Sequence, residues 1–292
     1  MSGLIMCAPY FVPIIYNGNG YGLIYGNNGE TYKYLYTGNA MTAGTAMKRS
    51  HSLFACAFGN ATQGIVAGGQ ASPYLITTDK YTYANDTTVM YLDLTAGRIG
   101  ASGCGNEAYG LVVSGFTGQA FLLTIDRFLH VQGTRTSGGT MTASSYQGHA
   151  FNAPTQGLLV IDNGTTTVKH TYATNVMVAG GATVVGRTYP AVFGTKEVGY
   201  ACFAAGASAT KSVYTYATDV GVSVSCLGTN RVAPVGMGNN TVGVISGGGI
   251  GSTTNTNALD VYNFASDTNL ATTSITAITY YLSATSSLPG HL

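Results

Sequence analysis

Eleven acidic residues, five histidines and five cysteines are the whole stock from which this chain could build an acid–base, nucleophilic or metal centre. Three of the acids, Asp86, Asp219 and Asp267, stand three residues after a recurring aromatic, and Asn39 and Asn175 take that place in other copies of the segment. Asparagine cannot act as a general base near neutral pH, whereas either side chain can bond its own backbone in a turn. The position is therefore read as structural. The other acids, Asp79, Asp93, Asp126, Asp162, Asp260, Glu30, Glu107 and Glu197, are read as lying at unrelated repeat phases. No pair of equivalent carboxylates is expected to face across a common mouth.

The remaining nucleophiles and ligands point the same way. His51 and His149 are placed in comparable strands but at different offsets, and His170 replaces a tyrosine of the recurring segment, which argues packing. No Gly-x-Ser-x-Gly elbow accompanies them, so serine–histidine–acid catalysis has no sequence support. Cys7, Cys56, Cys104, Cys202 and Cys226 form no C-x-x-C pair, and they read as small buried strand residues rather than metal ligands. The Gly-Gly doublets are not phosphate loops, since no Lys-Ser/Thr follows and no helix begins. The expectation is a protein without catalytic residues, metal or cofactor.

Tyrosine is the other conspicuous stock, with 21 residues. Tyr81, Tyr83, Tyr172, Tyr214 and Tyr216 lie on the recurring segment and are read as packing. Tyr10, Tyr74, Tyr109, Tyr146 and Tyr189 lie off it and are the candidates for contact with a partner, where a large ring with a polar tip is useful. The sequons at Asn60, Asn85, Asn163 and Asn239 recur in turns and read as turn chemistry.

These residues are positioned by a repeat. Tyr81-Thr-Tyr-Ala-Asn-Asp-Thr87, His170-Thr-Tyr-Ala-Thr-Asn-Val176, Tyr214-Thr-Tyr-Ala-Thr-Asp-Val220 and Val261-Tyr-Asn-Phe-Ala-Ser-Asp-Thr268 are one sentence rewritten, with looser copies at 32–39 and 125–130. A glycine opens a short apolar run before each copy: Gly22, Gly64, Gly110, Gly157, Gly199 and Gly243, 42 to 47 residues apart. A period near 44 residues marks stacked or radial repeats. The runs are β-branched, the aromatic segments alternate, and no stretch carries a capped helical pattern. Three to four short strands per unit is the size of a propeller blade. The expected fold is all-β: a single six-bladed β-propeller over residues 1–292, its glycine-led strands near the axis and its aromatic strands farther out.

A third clause is an arginine between copies: Arg49, Arg98, Arg187 and Arg231. The order of arginine, strand, glycine-led strand, Gly-Gly and aromatic strand resembles Kelch repeats, the blade unit of Kelch and galactose-oxidase-type propellers. The chain has no tryptophan, where such blades usually carry one. The resemblance implies a propeller and carries no copper site across, because no tyrosine–histidine constellation matches. Degenerate arrays of this kind are similar to those of tailed-phage structural proteins.

Charge supports an assembly. Lysine plus arginine number 12 and acids 11, so 8% of residues are charged, against about 25% in typical soluble proteins. Twelve scattered cations do not make a nucleic-acid surface. No apolar run approaches the length of a membrane helix, and the start lacks the basic residues of a secretory peptide, so synthesis in a host cytoplasm is expected. The reading is a non-enzymatic structural or recognition component of a virion (tail, fibre, baseplate or capsid surface), oligomeric or held in a larger complex. Its partners would be other virion proteins or a host-surface glycan, with no nucleic acid and no membrane insertion. The alternatives are a sugar-binding propeller lectin and an intracellular Kelch-type adaptor. Residues 1–16 and 280–292 compete for one ring-closing strand. The apolar N-terminal segment is expected to be buried, as closing strand or against another protein, and the small, polar C-terminal one to lie at the surface.

Overall fold

The computed structural model describes residues 20–26, 29–51, 54–60, 62–71, 73–144, 149–160, 165–182, 190–202, 210–225, 231, 234–250, 254–255, 258–274 and 283–286. Six antiparallel four-stranded sheets follow one another as the blades of a β-propeller. Counted outward from the axis, blade 1 is Ser283–Ser286, Tyr21–Tyr25, Thr31–Leu35 and Ala40–Ala43. Blade 2 is Cys56–Gly59, Gln63–Ala67, Thr78–Thr82 and Thr87–Met90. Blade 3 is Ser102–Gly105, Tyr109–Val113, Thr124–Leu129 and Thr134–Thr140. Blade 4 is His149–Asn152, Gln156–Val160, Thr167–Thr171 and Val176–Ala179. Blade 5 is Ala191–Gly194, Val198–Cys202, Thr210–Thr215 and Val220–Ser225. Blade 6 is Val235–Gly238, Val242–Ser246, Ala258–Asn263 and Thr268–Ser274, with a hairpin, Gly249–Ile250 and Thr254–Asn255, between its second and third strands. The described residues contain no helix.

The recurring glycine is a socket. In five junctions, a Cβ on the glycine of one blade would strike the third residue of the preceding blade's innermost strand. Gly110 meets Phe58 at 2.1 Å, Gly157 meets Cys104 at 2.7 Å, Gly199 meets Phe151 at 2.5 Å, Gly243 meets Phe193 at 2.2 Å and Gly22 meets Met237 at 2.3 Å. At these five junctions a blade inserts a knob into the next, and the repeat glycine exists because a side chain there would fill the hole. The innermost strands themselves crowd at the axis: a Cβ on Gly103 would lie 2.3 Å from the Ala57 carbonyl, and one on Gly236 the same distance from that of Val192. Small residues such as Ser102-Gly-Cys-Gly105 are what this place accepts.

One correction concerns closure. The glycine-led strands lie inside the aromatic strands, as expected, and are second from the axis, behind a short first strand. The ring is closed by the C-terminal segment, with Gly22–Tyr25 paired to Ser283–Ser286. That strand lies between the innermost strands of blades 6 and 2, so successive innermost strands pack around a complete circle. The polar, small-residue composition taken to favour a surface position instead suits the crowded axis. Residues 1–19 lie outside the described residues.

Turns follow their sequences closely. Asn39, Asp86, Asn175, Asp219 and Asp267 all have φ between 49° and 60°, the left-handed region that Asn and Asp tolerate. At the opposing hairpins, Asn60 Oδ1 accepts the amides of Thr62 and Gln63, and Asn239 Oδ1 those of Thr241 and Val242. These sequons are turn chemistry, as expected. The doublet Gly68-Gly69 has φ of 69° and 115°, and a Cβ on Gly68 would lie 2.6 Å from the Arg98 carbonyl at the entry to blade 3.

Candidate functional site

Several of the residues able to do chemistry are brought together, but inside the fold. Asp79, Asp126 and Asp260 share one phase after all: each stands two residues before a buried aromatic, Tyr81, Phe128 or Tyr262. Counted from the repeat glycines Gly64, Gly110 and Gly243 they stand 15, 16 and 17 residues on, which hides the shared phase. Each meets the arginine that enters its own blade. Arg49 Nε donates to Asp79 at 2.9 Å, Arg98 Nη2 to Asp126 at 2.7 Å and Arg231 Nη2 to Asp260 at 2.5 Å. Arg187 lies outside the described residues, and the position matching these aspartates in blade 5 is Ser212.

Each pair is held by further hydrogen bonds. Asp126 also accepts from Arg135 at 2.6 Å and from Thr95, while Arg98 donates to the carbonyls of Ser114 and Thr124. Arg231 Nη1 donates to the Ala258 carbonyl. Arg98, Asp126, Arg231 and Asp260 are buried. His51, found in the entry segment of blade 2 and not in a strand, holds the Gly68 carbonyl through Nδ1 and turns Nε2 to Asp79 at 3.5 Å. Burial opposes ionisation of Asp79, and the facing His51 and Arg49 outweigh it and hold the carboxyl below its ordinary range. The arrangement clamps the entry of a blade to its third strand.

A second set of charges ties three blades to the next, 1 to 2, 4 to 5 and 5 to 6. Lys33 reaches Asp86 at 2.6 Å, Lys169 reaches Asp219 at 2.7 Å, and Lys211 reaches both Asp267 and the Tyr262 hydroxyl. The same aspartates accept from the buried aromatic ahead of them, Tyr81 to Asp86 and Tyr214 to Asp219, and Tyr34 to Asn39 and His170 to Asn175 repeat the bond. Burial disfavours the Asp86 carboxylate, but hydrogen bonds from Lys33, Tyr81 and the Thr45 amide hold it well below the usual range. His170 is packing, as read: it fills the tyrosine place and is buried. Cys56, Cys104 and Cys202 are buried and form no disulfide, with the first two thiols pushed up to about 12 by burial. Cys7 and Cys226 lie outside the described residues. No group of three metal-ligating side chains occurs among the described residues.

Among the described tyrosines off the recurring segment, Tyr74 and Tyr109 go to different places. Tyr109 opens the second strand of blade 3 at the phase of Tyr21 in blade 1, and the Arg127 guanidinium covers its ring at 4.2 Å. It is half-buried packing. Tyr74 lies in residues 68–77, which join the second and third strands of blade 2, and its ring packs 6.4 Å from that of Phe116 in the matching loop of blade 3. Phe116 in turn packs 5.0 Å from Phe121, and its backbone is pinned to Ile99 by two hydrogen bonds. With exposed Ile76, Phe121 and Leu123, these rings make an apolar platform on the long-loop face. Residues 68–77 and 114–123 carry no charge. Tyr10, Tyr146 and Tyr189 lie outside the described residues. Phe116 and Phe121 escaped the sequence reading because the loop of blade 3 lacks tyrosine; the Gly115-Phe116 step after the strand was the available signal.

A crevice between blades 4 and 5, lined by Phe151, Asn152, Val192, Phe193, Gly194, Thr195 and Tyr216, has a volume of about 10 Å³. That is the space of one water molecule, too small for a sugar ring. No protein-family model and no curated protein matches this chain. What can be said of function therefore rests on the fold and on the character of its surface.

Proposed function

We propose that this propeller is a non-enzymatic structural and recognition component of a virion, on a tailed-phage tail, fibre, baseplate or capsid surface, acting by protein–protein or host-surface binding. The observation that carries this reading is the placement of charge. The chain has few charged residues, and most described ones turn inward or toward a neighbouring blade: Arg49, Arg98, Arg135 and Arg231 within blades, and Lys33, Lys169 and Lys211 between them. The surface left over is Thr, Ser, Asn, valine and the aromatic platform of blades 2 and 3. A surface so poor in net charge has little protection against association, which suits a subunit held among neighbours. The blade order of arginine, small strand, glycine-led strand, glycine doublet and aromatic strand supports a Kelch-type origin for the repeat.

A lectin is less well supported. Its platform would recur in each blade, yet the loops joining second and third strands in blades 1, 4 and 6 (residues 26–30, 161–166 and 247–257) contain no aromatic residue. Two measurements test the proposal. Mass spectrometry of purified particles of a phage encoding the chain should find it as a stoichiometric component. Light scattering of the purified chain should give a native mass above the 30.1 kDa of one copy. Absence from particles, together with a stable monomer that binds glycans, would replace this reading with the lectin.

A further inference from the structure

The outermost strand of blade 5, Val220–Ser225, pairs along one edge with Thr210–Thr215, and among the described residues no strand pairs with its other edge. Its sequence, Val-Gly-Val-Ser-Val-Ser, has no charge and no proline, and its register is unbroken. Val220, Val222 and Val224 are 50%, 48% and 37% exposed and, two residues apart, share one face. Two other blades blunt this edge: blade 3 carries Arg135 and a register break between Thr124 and Asp126, and blade 6 has a break between Val261 and Tyr262. The outer strands of blades 1, 2 and 4 are uncharged and unbroken but four residues long, against six in blade 5, which therefore offers the longest such edge. An uncharged, unbroken, valine-faced edge invites a further strand.

The chain contains a segment suited to that place. Residues 4–16, Leu-Ile-Met-Cys-Ala-Pro-Tyr-Phe-Val-Pro-Ile-Ile-Tyr, carry no charge and no polar group beyond two tyrosine hydroxyls. All six blades already have four strands, and the place for which this segment competed belongs to Ser283–Ser286. Its prolines, Pro9 and Pro13, are four residues apart. In an extended strand successive residues direct their backbone groups to opposite sides, so both prolines would face away while Tyr10, Val12 and Ile14 complete the ladder. Prolines on the outward side are the grammar of a terminal edge strand, one that accepts no further neighbour.

We propose that residues 4–16 of one copy add as a fifth strand to the outer edge of blade 5 of a second copy. The donor is a different molecule because blade 6 stands between blade 1, where the chain enters at Gly20, and blade 5. Sheets packed face to face lie about 10 Å apart, so blade 5 is roughly 20 Å from blade 1, whereas the four steps from Tyr16 to Gly20 span at most about 14 Å. This inference rests on the assembly reading above and names the contact that would build the assembly.

The test compares the full chain, a chain lacking residues 2–16, and full-length V222K/V224K, by light scattering and hydrogen exchange. A peptide of residues 4–16 with a tri-lysine tail is the probe. The full chain should be oligomeric, with residues 220–225 protected from exchange. The truncated chain and the edge variant should each lose the oligomer while unfolding at the wild-type temperature. The truncated chain should bind the peptide with new protection confined to residues 220–225, and the same truncation carrying V222K/V224K should not bind it. Should truncation cause aggregation, the peptide must restore solubility, and failure to do so counts against the proposal. An oligomer that survives both truncation and edge charges, or peptide protection elsewhere, overturns this contact and leaves assembly standing. A full chain that is monomeric at all concentrations overturns both.

Discussion

If the repeat glycine is a socket for the preceding blade's knob, filling the socket should be costly alone and tolerable once the knob is trimmed. Gly110→Ala puts a methyl carbon 2.1 Å from Phe58 Cδ2 and 2.3 Å from Cε2, where an ordinary contact would be about 3.6 Å. Phe58 is fully buried and packs 4.9 Å from Phe128, so its ring cannot swing aside freely. Overpacking of this degree costs about 1–3 kcal/mol, offset by the roughly 0.5–1 kcal/mol that alanine gains over glycine within a strand. A net loss of about 1–2 kcal/mol is expected. Phe58→Leu alone, which opens a small void, should cost about 1–2 kcal/mol. In the double variant the new methyl enters the vacated space, and the total should fall short of the sum by about 1–2 kcal/mol, a coupling typical of contacting residues. Urea midpoints at constant slope measure all three. Additivity within about 0.5 kcal/mol would show that Gly110 serves backbone conformation and not blade-to-blade fit.

Three further outcomes follow from the polar and terminal contacts. Arg98→Met should destabilise by about 3 kcal/mol or more, because it strips a buried partner from Asp126 and two carbonyls, whereas Arg98→Met with Asp126→Leu should recover part of that loss in chemical unfolding. Asp86→Asn should keep its turn, since asparagine serves there in blades 1 and 4, and should cost under about 1 kcal/mol at pH 7 for a pair so open to water. Because the folded Asp86 pKa is depressed, the stability it adds is present above the ordinary carboxylate range near 3.9 and is lost as pH falls through the folded value. The variant's acid unfolding curve should therefore be shallower than wild type below about pH 4. Deleting residues 283–292 removes the closing strand and should abolish the cooperative unfolding transition in calorimetry; a transition of unchanged enthalpy would refute the closure described here.

Much of the architecture was legible because it is written in glycine and in turn residues. A close approach that admits only glycine and a left-handed turn that admits Asn or Asp leave a mark at every repeat, as Gly110 and Asp86 show. The innermost strands left almost none. Ser102-Gly-Cys-Gly105 and Ser283-Ala-Thr-Ser286 have little β-propensity, and only the crowding of six strands at an axis explains their composition. The arginine–aspartate clamps were half legible: the arginines recur visibly, but their partners drift by one residue per copy when counted from Gly64, Gly110 and Gly243 and fall into step only when counted from the aromatic strand. Of the tyrosines chosen as partner candidates, Tyr109 shares the phase of Tyr21 and is half-buried beneath Arg127. Tyr74 reached the platform, whose other rings are phenylalanines.

The pairing of Gly22–Tyr25 with Ser283–Ser286 also sets a clock on synthesis. About 260 residues separate the partners, so at 5–20 residues per second some 13–50 seconds pass between the translation of the two. Throughout that interval the first blade to be made is a three-stranded sheet with its inner edge bare, while blades 2 to 6 can complete themselves in turn. A strand made after all six outer hairpins finishes the first blade begun. A product that stops early keeps an open edge at the axis, visible to chaperones and proteases, and cannot pass for a finished ring.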